Sequence, residues 1–169
     1  MEKFATQHGS AGDYKILGGG VEPGEKLEDA LIREVGEESG LIVIPESIRP
    51  IGEIVERRRD LFEKKQDLCL PLLLFFCCDA KTEMTQTHMT ESEIEKGFHL
   101  EWATAQEIID GNEPFCETQP WSFRDREFVK MLVEKNDSHH IVFTNNLHRE
   151  EVCIYMPLLS CRKVENRIG

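Results

Sequence analysis

The chain has 169 residues, which is enough for one well-buried domain and too few for two of ordinary size. Its formal net charge of −12, from 32 acidic and 20 basic residues, repels nucleic acid and anionic membranes, so both are excluded as general partners. A phosphate-bearing ligand would be repelled too unless a cation accompanied it, and the charge therefore points to a metal site.

The first third of the chain predicts short strands around one helix. Residues 3–6 and 14–17 are strand candidates. Residues 26–39 predict a helix that Gly40 ends, and residues 41–44 predict the next strand. The helix has a single apolar stripe, formed by Leu27, Ala30, Leu31 and Val35.

The middle of the chain predicts three segments of strand around one loop. Residues 48–56 predict a strand, and the unbroken apolar run 72–78 is typical of a central strand that is covered on both faces. The polar and acidic stretch 79–97 predicts a loop. Residues 98–103 predict the strand that follows it.

Two further helices are predicted after this strand. Thr104 can cap a short helix over residues 105–110, which Gly111 would end. Apolar residues then recur at helical spacing over residues 123–134 and predict a longer helix.

The chain closes with two strand candidates, residues 141–144 and 152–156. Asn145 and Asn146 lie between them and are a signal for a hairpin. Strands mixed with helices within one domain predict a layered α/β fold.

The six cysteines predict neither a disulfide framework nor a zinc site, because none forms a Cys-x-x-Cys pair and no histidines stand at a matching spacing. No signal peptide is recognisable, and the longest apolar run, residues 68–78, contains Pro71 and is too short to span a bilayer. We therefore expect a cytoplasmic protein in a reducing compartment, in which Cys77 and Cys78 are small core residues.

Three glutamates on the first predicted helix carry the strongest chemical signal. Glu34, Glu37 and Glu38 stand at positions i, i+3 and i+4, so their carboxylates converge on one face, and Arg33 can orient Glu37. Each like-charged pair costs a few tenths of a kcal/mol, and Gly36 costs about 1 kcal/mol relative to alanine. Negative charge near a helix C-terminus is also unfavourable. A bound divalent cation would explain an arrangement that stability alone does not.

Oxygen ligands alone favour a hard cation, with Mg²⁺ first and Mn²⁺ as a possible substitute. Upstream of the helix, Gly18, Gly19 and Gly20 allow the backbone to approach a ligand closely. A glycine carbonyl could reach the same metal, and Gly19 is the candidate. A metal, a glycine-rich backbone and carboxylates together can polarise a phosphoryl group and activate a water molecule.

Residues 19–41 resemble the signature of the Nudix hydrolase superfamily, Gly-x5-Glu-x7-Arg-Glu-U-x-Glu-Glu-x-Gly-U, in which U is a bulky aliphatic residue. All nine fixed positions match, and nine fixed types at fixed spacing rarely arise by chance. They are Gly19, Glu25, Arg33, Glu34, Val35, Glu37, Glu38, Gly40 and Leu41. A looser resemblance continues to about Glu134.

The resemblance implies a Nudix-type α/β/α sandwich around a mixed β-sheet. It also implies hydrolysis of the pyrophosphate linkage in a nucleoside diphosphate linked to another moiety, by attack of water on phosphorus. In similar enzymes the glutamates that match Glu34 and Glu38 bind the metal, and the one that matches Glu37 often joins them. Glu25 and Arg33 would be structural partners that hold the loop to the helix.

A further glutamate from a later loop commonly acts as metal ligand or base in similar enzymes. Glu91, Glu93 and Glu95 occupy that segment, and we favour Glu93 or Glu95. A basic run could bind the phosphates of the substrate through bidentate contacts, or it could be solvated surface. The run consists of Arg57, Arg58 and Arg59.

The two ends of the chain depart from the family pattern. Only 18 residues precede Gly19, which leaves room for one short strand rather than two, so we expect the usual N-terminal strand to be shortened and a sheet edge to lack its partner. We expect residues 1–136 to form the Nudix domain. Residues 137–169 would be a C-terminal extension that forms a strand pair, packs back on the domain or makes a homodimer contact.

Two classes of function fit these observations. The first is a pyrophosphohydrolase that acts on a small phosphorylated substrate, most simply a nucleotide derivative. The second is a non-catalytic Nudix-fold module that senses nucleotides or regulates another protein. All the glutamates of the signature are retained, and this feature favours the enzyme.

Overall fold

The computed structural model describes residues 3–55, 58–59, 68–69, 72–138 and 150–158, with the side chains of residues 3–54 and 73–134. In chain order the helices and strands are β1 (Lys3–His8), β2 (Tyr14–Gly18), α1 (Leu27–Ser39), β3 (Leu41–Val43), β4 (Arg49–Val55), β5 (Arg58–Arg59), β6 (Leu68–Cys69), β7 (Leu72–Cys78), β8 (Ala80–Met84), α2 (Glu91–Glu95), β9 (His99–Thr104), α3 (Ala105–Asn112), α4 (Pro120–Ser138) and β10 (Glu150–Leu158). None of the helices described here is long and apolar enough to cross a membrane.

Six strands form one mixed sheet in the order β4-β7-β10-β2-β1-β9. β10 is parallel to β1 and β2 and antiparallel to β7. The other neighbours in this sheet are antiparallel. Two small sheets join β3 to β8 and β5 to β6.

Helices cover both faces of the six-stranded sheet. On one face α1 packs through Ala30, Leu31 and Val35, which lie in one cluster with Ala5 of β1 and Leu17 of β2. On the other face α3 and α4 pack through a second cluster. That cluster includes Tyr14, Ile16, Leu73, Phe75, Ile108, Phe128 and Val129. The predicted α/β/α sandwich around a mixed sheet is confirmed.

The sequence of the central strand β7 is apolar without a break because both faces of the strand are covered. Alternate side chains of a strand point to opposite faces. Phe75 and Cys77 accordingly belong to the α3–α4 core, while Phe76 and Cys78 belong to the α1 core. Cys77 and Cys78 are both buried in the core, as predicted.

Gly40 ends α1 for a geometric reason. Its φ of 74° lies in the left-handed region, and its amide donates to the carbonyl of Gly36. A Cβ at this position would also lie 2.4 Å from the carbonyl oxygen of Thr85. Only glycine fits without strain, so the turn from α1 into β3 is fixed.

The prediction of a loop over residues 79–97 is wrong, because this segment contains β8 and α2. β8 pairs with β3, but its residues after Ala80 are exposed, so the strand has no apolar pattern to reveal it. α2 begins at a capping box in which Thr90 and Glu93 each accept a hydrogen bond from the other's backbone amide.

Both strand candidates before Gly19, residues 3–6 and 14–17, are confirmed, and the expectation that the lead leaves room for only one strand is wrong. β1 and β2 are both present and pair with each other. The turn between them spans only residues 9–13, because Gly9 donates to the Asp13 carbonyl and Gly12 adopts a φ of 101°. This tight turn lets a short N-terminal segment supply two strands.

α3 continues one residue beyond Gly111, where its end was predicted. A Cβ on Gly111 would lie 2.6 Å from the ring of Tyr14, so the glycine allows α3 to pack closely against β2. Asn112, the last helical residue, accepts from the Tyr14 amide at 2.7 Å and donates to its carbonyl at 2.9 Å. Here glycine serves helix packing and not helix termination.

The C-terminal strand lies inside the sheet. The strand predicted over residues 152–156 is observed as β10, and its residue Ile154 is paired with Phe76 of β7 and Leu17 of β2. The companion strand predicted over residues 141–144 falls outside the described residues. The division at residue 136 between a domain and an extension stays a prediction.

Candidate active site

Glu38 is the most buried carboxylate of the predicted cluster, with a side chain that is 5% exposed. Its Oε2 accepts a hydrogen bond from the Gly18 amide at 2.7 Å. Its Oε1 lies 2.7 Å from the ammonium nitrogen of Lys15. The helix is thereby joined to the end of β2, immediately before the glycine turn.

Lys15 links three elements through its ammonium group. Besides Glu38, Nζ lies 3.2 Å from Glu93 Oε1 and 3.3 Å from Gln7 Oε1. Gln7 and Lys15 are paired across β1 and β2, and both point to the α1 face of the sheet. A cation from β2 therefore holds a glutamate of α1 beside a glutamate of α2.

Glu34 lies directly against the backbone of the glycine turn. A Cβ built on Gly19 would come within 2.4 to 2.5 Å of all three atoms of the Glu34 carboxyl group. By contrast, a Cβ on Gly20 would meet no atom within 4 Å. The absence of a side chain at Gly19 is thus what allows this carboxylate to approach the turn.

Arg33 connects the loop after the glycine turn to the helix. Its Nε and Nη2 donate to the two carboxylate oxygens of Glu25 at 2.9 and 3.0 Å, and Nη2 also donates to the Gly20 carbonyl at 3.0 Å. Its Nη1 lies 2.8 Å from Glu34 and 3.2 Å from Glu37. The bond to Glu25 raises the pKa of Arg33 and lowers the pKa of Glu25. Glu37 has the most exposed carboxylate of the helix cluster, at 41%.

The charges of this cluster do not balance. Two cationic side chains meet five carboxylates through ion pairs, which leaves a surplus of three negative charges when all are ionised. The cations are Lys15 and Arg33, and the carboxylates are those of Glu25, Glu34, Glu37, Glu38 and Glu93. A surplus of negative charge on oxygen donors fits a hard divalent cation.

The titration behaviour of the buried carboxylates reflects mainly their removal from water. Burial raises the pKa of Glu38 to about 7, although Lys15 and the Gly18 amide favour the charged form. Burial also raises the pKa of Glu34, against the opposing effect of Arg33. For Glu93 burial is outweighed by the Thr90 amide, Lys15 and the Thr90 hydroxyl, which together lower the pKa. A further cation would favour the charged form of both helix carboxylates.

The structure brings most of the predicted site residues together. Gly19, Glu25, Arg33, Glu34, Glu37, Glu38 and Glu93 form the connected cluster. Glu95 is exposed, and within the part of the chain that the structure describes no hydrogen bond or ion pair joins it to this cluster. Arg57 falls outside the described residues. Arg58 and Arg59 form β5, but their side chains are not described.

Two residues of the cluster were not predicted from the sequence. Lys15 and Gln7 lie on strands, and they reach the glutamates only because β1 and β2 pair in the observed register. A signal was present in the alternation of β2, where Lys15 shares a face with buried Leu17 while Tyr14 and Ile16 point to the other core. A polar residue at a strand position that faces the core indicates a polar partner nearby.

Comparison with known proteins gives a family match and partial relatives. A family model described as NUDIX domain matches residues 3–132. The nucleoside triphosphatase NudI of Escherichia fergusonii is 38% identical over 76 residues, which are 44% of this chain and 54% of that protein. The protein of the same name from Escherichia coli K12 is 35% identical over 75 residues, 43% of this chain and 53% of that protein. The chain thus spans about half the length of these curated relatives. No solved structure gives a significant match.

Proposed function

The chain belongs to the Nudix family, and from this membership we propose that it is a pyrophosphohydrolase. The substrate would be a nucleoside diphosphate linked to another moiety, and water would attack a phosphorus atom of its pyrophosphate linkage. One observation carries the proposal: Glu34 and Glu38 lie against the backbone of the glycine turn, and ion pairs to Arg33 and Lys15 join Glu37 and Glu93 to them with a surplus of negative charge. Nucleoside triphosphates are the first candidates, because the similar curated proteins are named nucleoside triphosphatases.

The donor set supports a role for Mg²⁺, with Mn²⁺ as a substitute. Glu34, Glu37 and Glu38 would hold the ion through carboxylate oxygens, together with the carbonyl of Gly19. When bound, such an ion polarises a phosphoryl oxygen and lowers the pKa of a water molecule. Because Glu38 already accepts from Gly18 and Lys15, its position is fixed before a metal arrives.

The surrounding residues would orient the reacting groups. Arg33 holds Glu34 and Glu37 on the side of the helix that faces the glycine turn. Lys15 keeps Glu93 beside Glu38, so that its carboxylate lies within the cluster, and the lowered pKa of Glu93 leaves that carboxylate charged. Glu93 and the exposed Glu37 are therefore our candidates for the base, ahead of Glu95.

The remaining parts of the proposal concern the substrate and the cell. Arg57, Arg58 and Arg59 would bind the phosphates of the substrate. We propose a reducing cytoplasm as the location, because the sequence shows no Cys-x-x-Cys pair and no disulfide framework. A homodimer remains a further proposal.

The proposal is tested by measuring phosphate and pyrophosphate release from a substrate panel, with Mg²⁺ and with a chelator. The panel contains nucleoside triphosphates, ADP-ribose, dinucleoside polyphosphates and nucleotide sugars. We expect metal-dependent release from at least one class, and reaction in ¹⁸O-labelled water should place the label on the attacked phosphorus.

A matched pair of variants gives the control. Glu34→Gln removes a charged oxygen from the cluster, whereas Asp29→Asn removes an exposed carboxylate from the same helix. We expect loss of turnover in the first variant and wild-type turnover in the second. Nucleotide binding without turnover of any panel member would instead support the non-catalytic sensing module.

A further inference from the structure

His8, His99 and Glu101 form a second group of ligand atoms, on the face of the sheet opposite to α1. His8 of β1 lies directly across from His99 of β9, and Thr6 lies across from Glu101. Residues two apart on a strand share a face, so both histidines and the glutamate point to the same side. On that side His8 is also paired with Tyr14, a residue of the core under α3 and α4.

The spacing of these side chains suits a metal ion. His8 Nδ1 lies 2.7 Å from Glu101 Oε2, and His99 Nε2 lies 3.7 Å from the same oxygen. One ligand atom from each residue lies within 4.8 Å of the other two. A tetrahedral zinc site with bonds of about 2.0–2.2 Å keeps its ligand atoms roughly 3.3 Å apart. Small side-chain rotations would bring the three atoms to that spacing.

The orientation of His99 adds independent support. Its Nδ1 lies 3.2 Å from the carbonyl oxygen of Gly97. A carbonyl can only accept, so this contact assigns the Nδ1 hydrogen to Gly97 and leaves Nε2, which faces the Glu101 carboxylate, as the ring atom positioned to bind a metal. Histidines that bind metals commonly donate their other ring N–H to a backbone carbonyl in this way.

The other two ligands are held as well. The ring of His8 stacks on Tyr14, with ring centroids 4.3 Å apart. The hydroxyl of Tyr14 lies near the Glu101 carboxylate. Since Tyr14 is packed against Gly111 of α3, it fixes both groups from the core side. Outer contacts of this kind orient metal ligands.

We propose that His8, His99 and Glu101 bind a divalent transition-metal ion, with Zn²⁺ as the reference ion. Two imidazoles and one carboxylate are ligands that such an ion prefers, whereas Mg²⁺ prefers oxygen alone. Three protein ligands leave a fourth position, and the 60% exposure of His99 opens that position to water or to another ligand. The ion would tie β9, an edge strand of the sheet, to β1.

Calorimetric titration of the full, tag-free and chelator-treated chain with Zn²⁺ tests the proposal. Millimolar Mg²⁺ is kept present so that the carboxylate site on the α1 face is occupied. We expect one Zn²⁺ per chain and a rise in melting temperature. His99→Ala should weaken binding by about tenfold or more, while His88→Ala, another exposed histidine, should bind as the wild type does.

Two further variants and a second metal ion test the same proposal. Glu101→Gln should also weaken Zn²⁺ binding, and it serves if His99→Ala fails to fold by circular dichroism. Co²⁺ should give the strong visible absorption of a tetrahedral site with nitrogen ligands. Glu34→Gln should retain the Zn²⁺ site, which separates this proposal from the proposed hydrolysis. Absence of Zn²⁺ binding in the wild type, or equal binding in wild type, His99→Ala and Glu101→Gln, would overturn the proposal.

Discussion

The two faces of the central sheet carry two clusters of ligand atoms that differ in chemistry and in construction. Under α1, five carboxylates surround Lys15 and Arg33, and Glu38 at the centre is almost fully buried. On the other face, two imidazoles and one carboxylate meet near the sheet edge, with His99 largely exposed. The first cluster fits a hard cation, and the second fits a softer one.

The contrast shows two ways in which a chain can assemble ligands. The α1 cluster takes most of its carboxylates from one helix, where positions i, i+3 and i+4 fix their geometry. The cluster of His8, His99 and Glu101 depends on the pairing register of β1 with β9. A shift of one residue in that register would turn the ligands to opposite faces. Helix spacing is local, whereas strand register is a property of the whole sheet.

Removal of β10 should have the largest effect, because this strand joins both halves of the sheet. β10 lies between β7 and β2, and its pairing reaches Leu17 and Gly18 at the start of the glycine turn. We expect a chain that ends at Lys135 to lose its cooperative thermal transition and its response to Mg²⁺ and Zn²⁺ alike. A chain that ends at Leu158 is the control and should melt as the full chain does. An unchanged melting temperature and oligomeric state after the longer truncation would show that the strand completes nothing.

Loss of the charge on Glu38 should break the α1 site and leave the other face intact. In Glu38→Gln an amide oxygen can still accept from Gly18, and Lys15 keeps its contact with Glu93, so the fold should persist. Turnover should fall by about 100-fold or more, which corresponds to ~2.7 kcal/mol in the barrier. Glu95→Gln, at an exposed position outside the cluster, should have little effect. Retention of more than about a tenth of wild-type turnover by Glu38→Gln would refute its role.

The layered α/β class was predictable because its signals are local, whereas the sandwich around a mixed sheet was implied by the resemblance of residues 19–41 to the Nudix signature. Apolar runs and periodicity indicate β7 and α1, and the left-handed Gly40 marks the end of α1. β8 was missed because its exposed residues carry no such pattern. The position of β10 in the sheet could not be predicted, since its partners β7 and β2 lie far away in sequence and pairing between distant strands leaves no periodic signal.

The sequence likewise identified some residues of the candidate site and missed others. The contiguous motif identified Glu34, Glu37 and Glu38, and helix geometry does bring them together. Lys15 was missed because its role depends on the register of β1 and β2. The expectation of no zinc site relied on the spacing of cysteines and histidines along the chain, whereas His8 and His99 become neighbours only through the sheet.

Lys15 distinguishes the two clusters further, since it places a cationic side chain between Glu38 and Glu93. In Lys15→Met, Glu38 and Glu93 would lose this partner, and the metal-free protein should lose about 2 kcal/mol of stability. Mg²⁺ should then raise the melting temperature more than it does in the wild type, because binding to the folded state offsets the lost charge. Lys81→Met removes an exposed lysine and serves as the control. An Mg²⁺-induced shift equal to that of the wild type would contradict this account.

The smallest substitution that should impair the α1 site without affecting the histidine cluster adds a single methyl group. In Gly19→Ala the new Cβ would lie 2.4 to 2.5 Å from the Glu34 carboxyl atoms, so that carboxylate must move. It is the end of a flexible side chain, which makes the cost to the fold small. Its contact with Arg33 and its place beside the turn would nevertheless be lost, and turnover should fall about tenfold, ~1.4 kcal/mol.

Gly20→Ala is the matched control for this substitution, since its added Cβ would meet open space and its backbone is not left-handed. Melting temperature and turnover should stay near the wild-type values in Gly20→Ala, and Zn²⁺ binding at His8, His99 and Glu101 should be unchanged in both variants. Equal turnover in the two variants would mean that the approach of Glu34 to Gly19 contributes nothing to the reaction. A fall in Zn²⁺ affinity in Gly19→Ala would mean that the clusters are coupled through the sheet and do not act as separate sites.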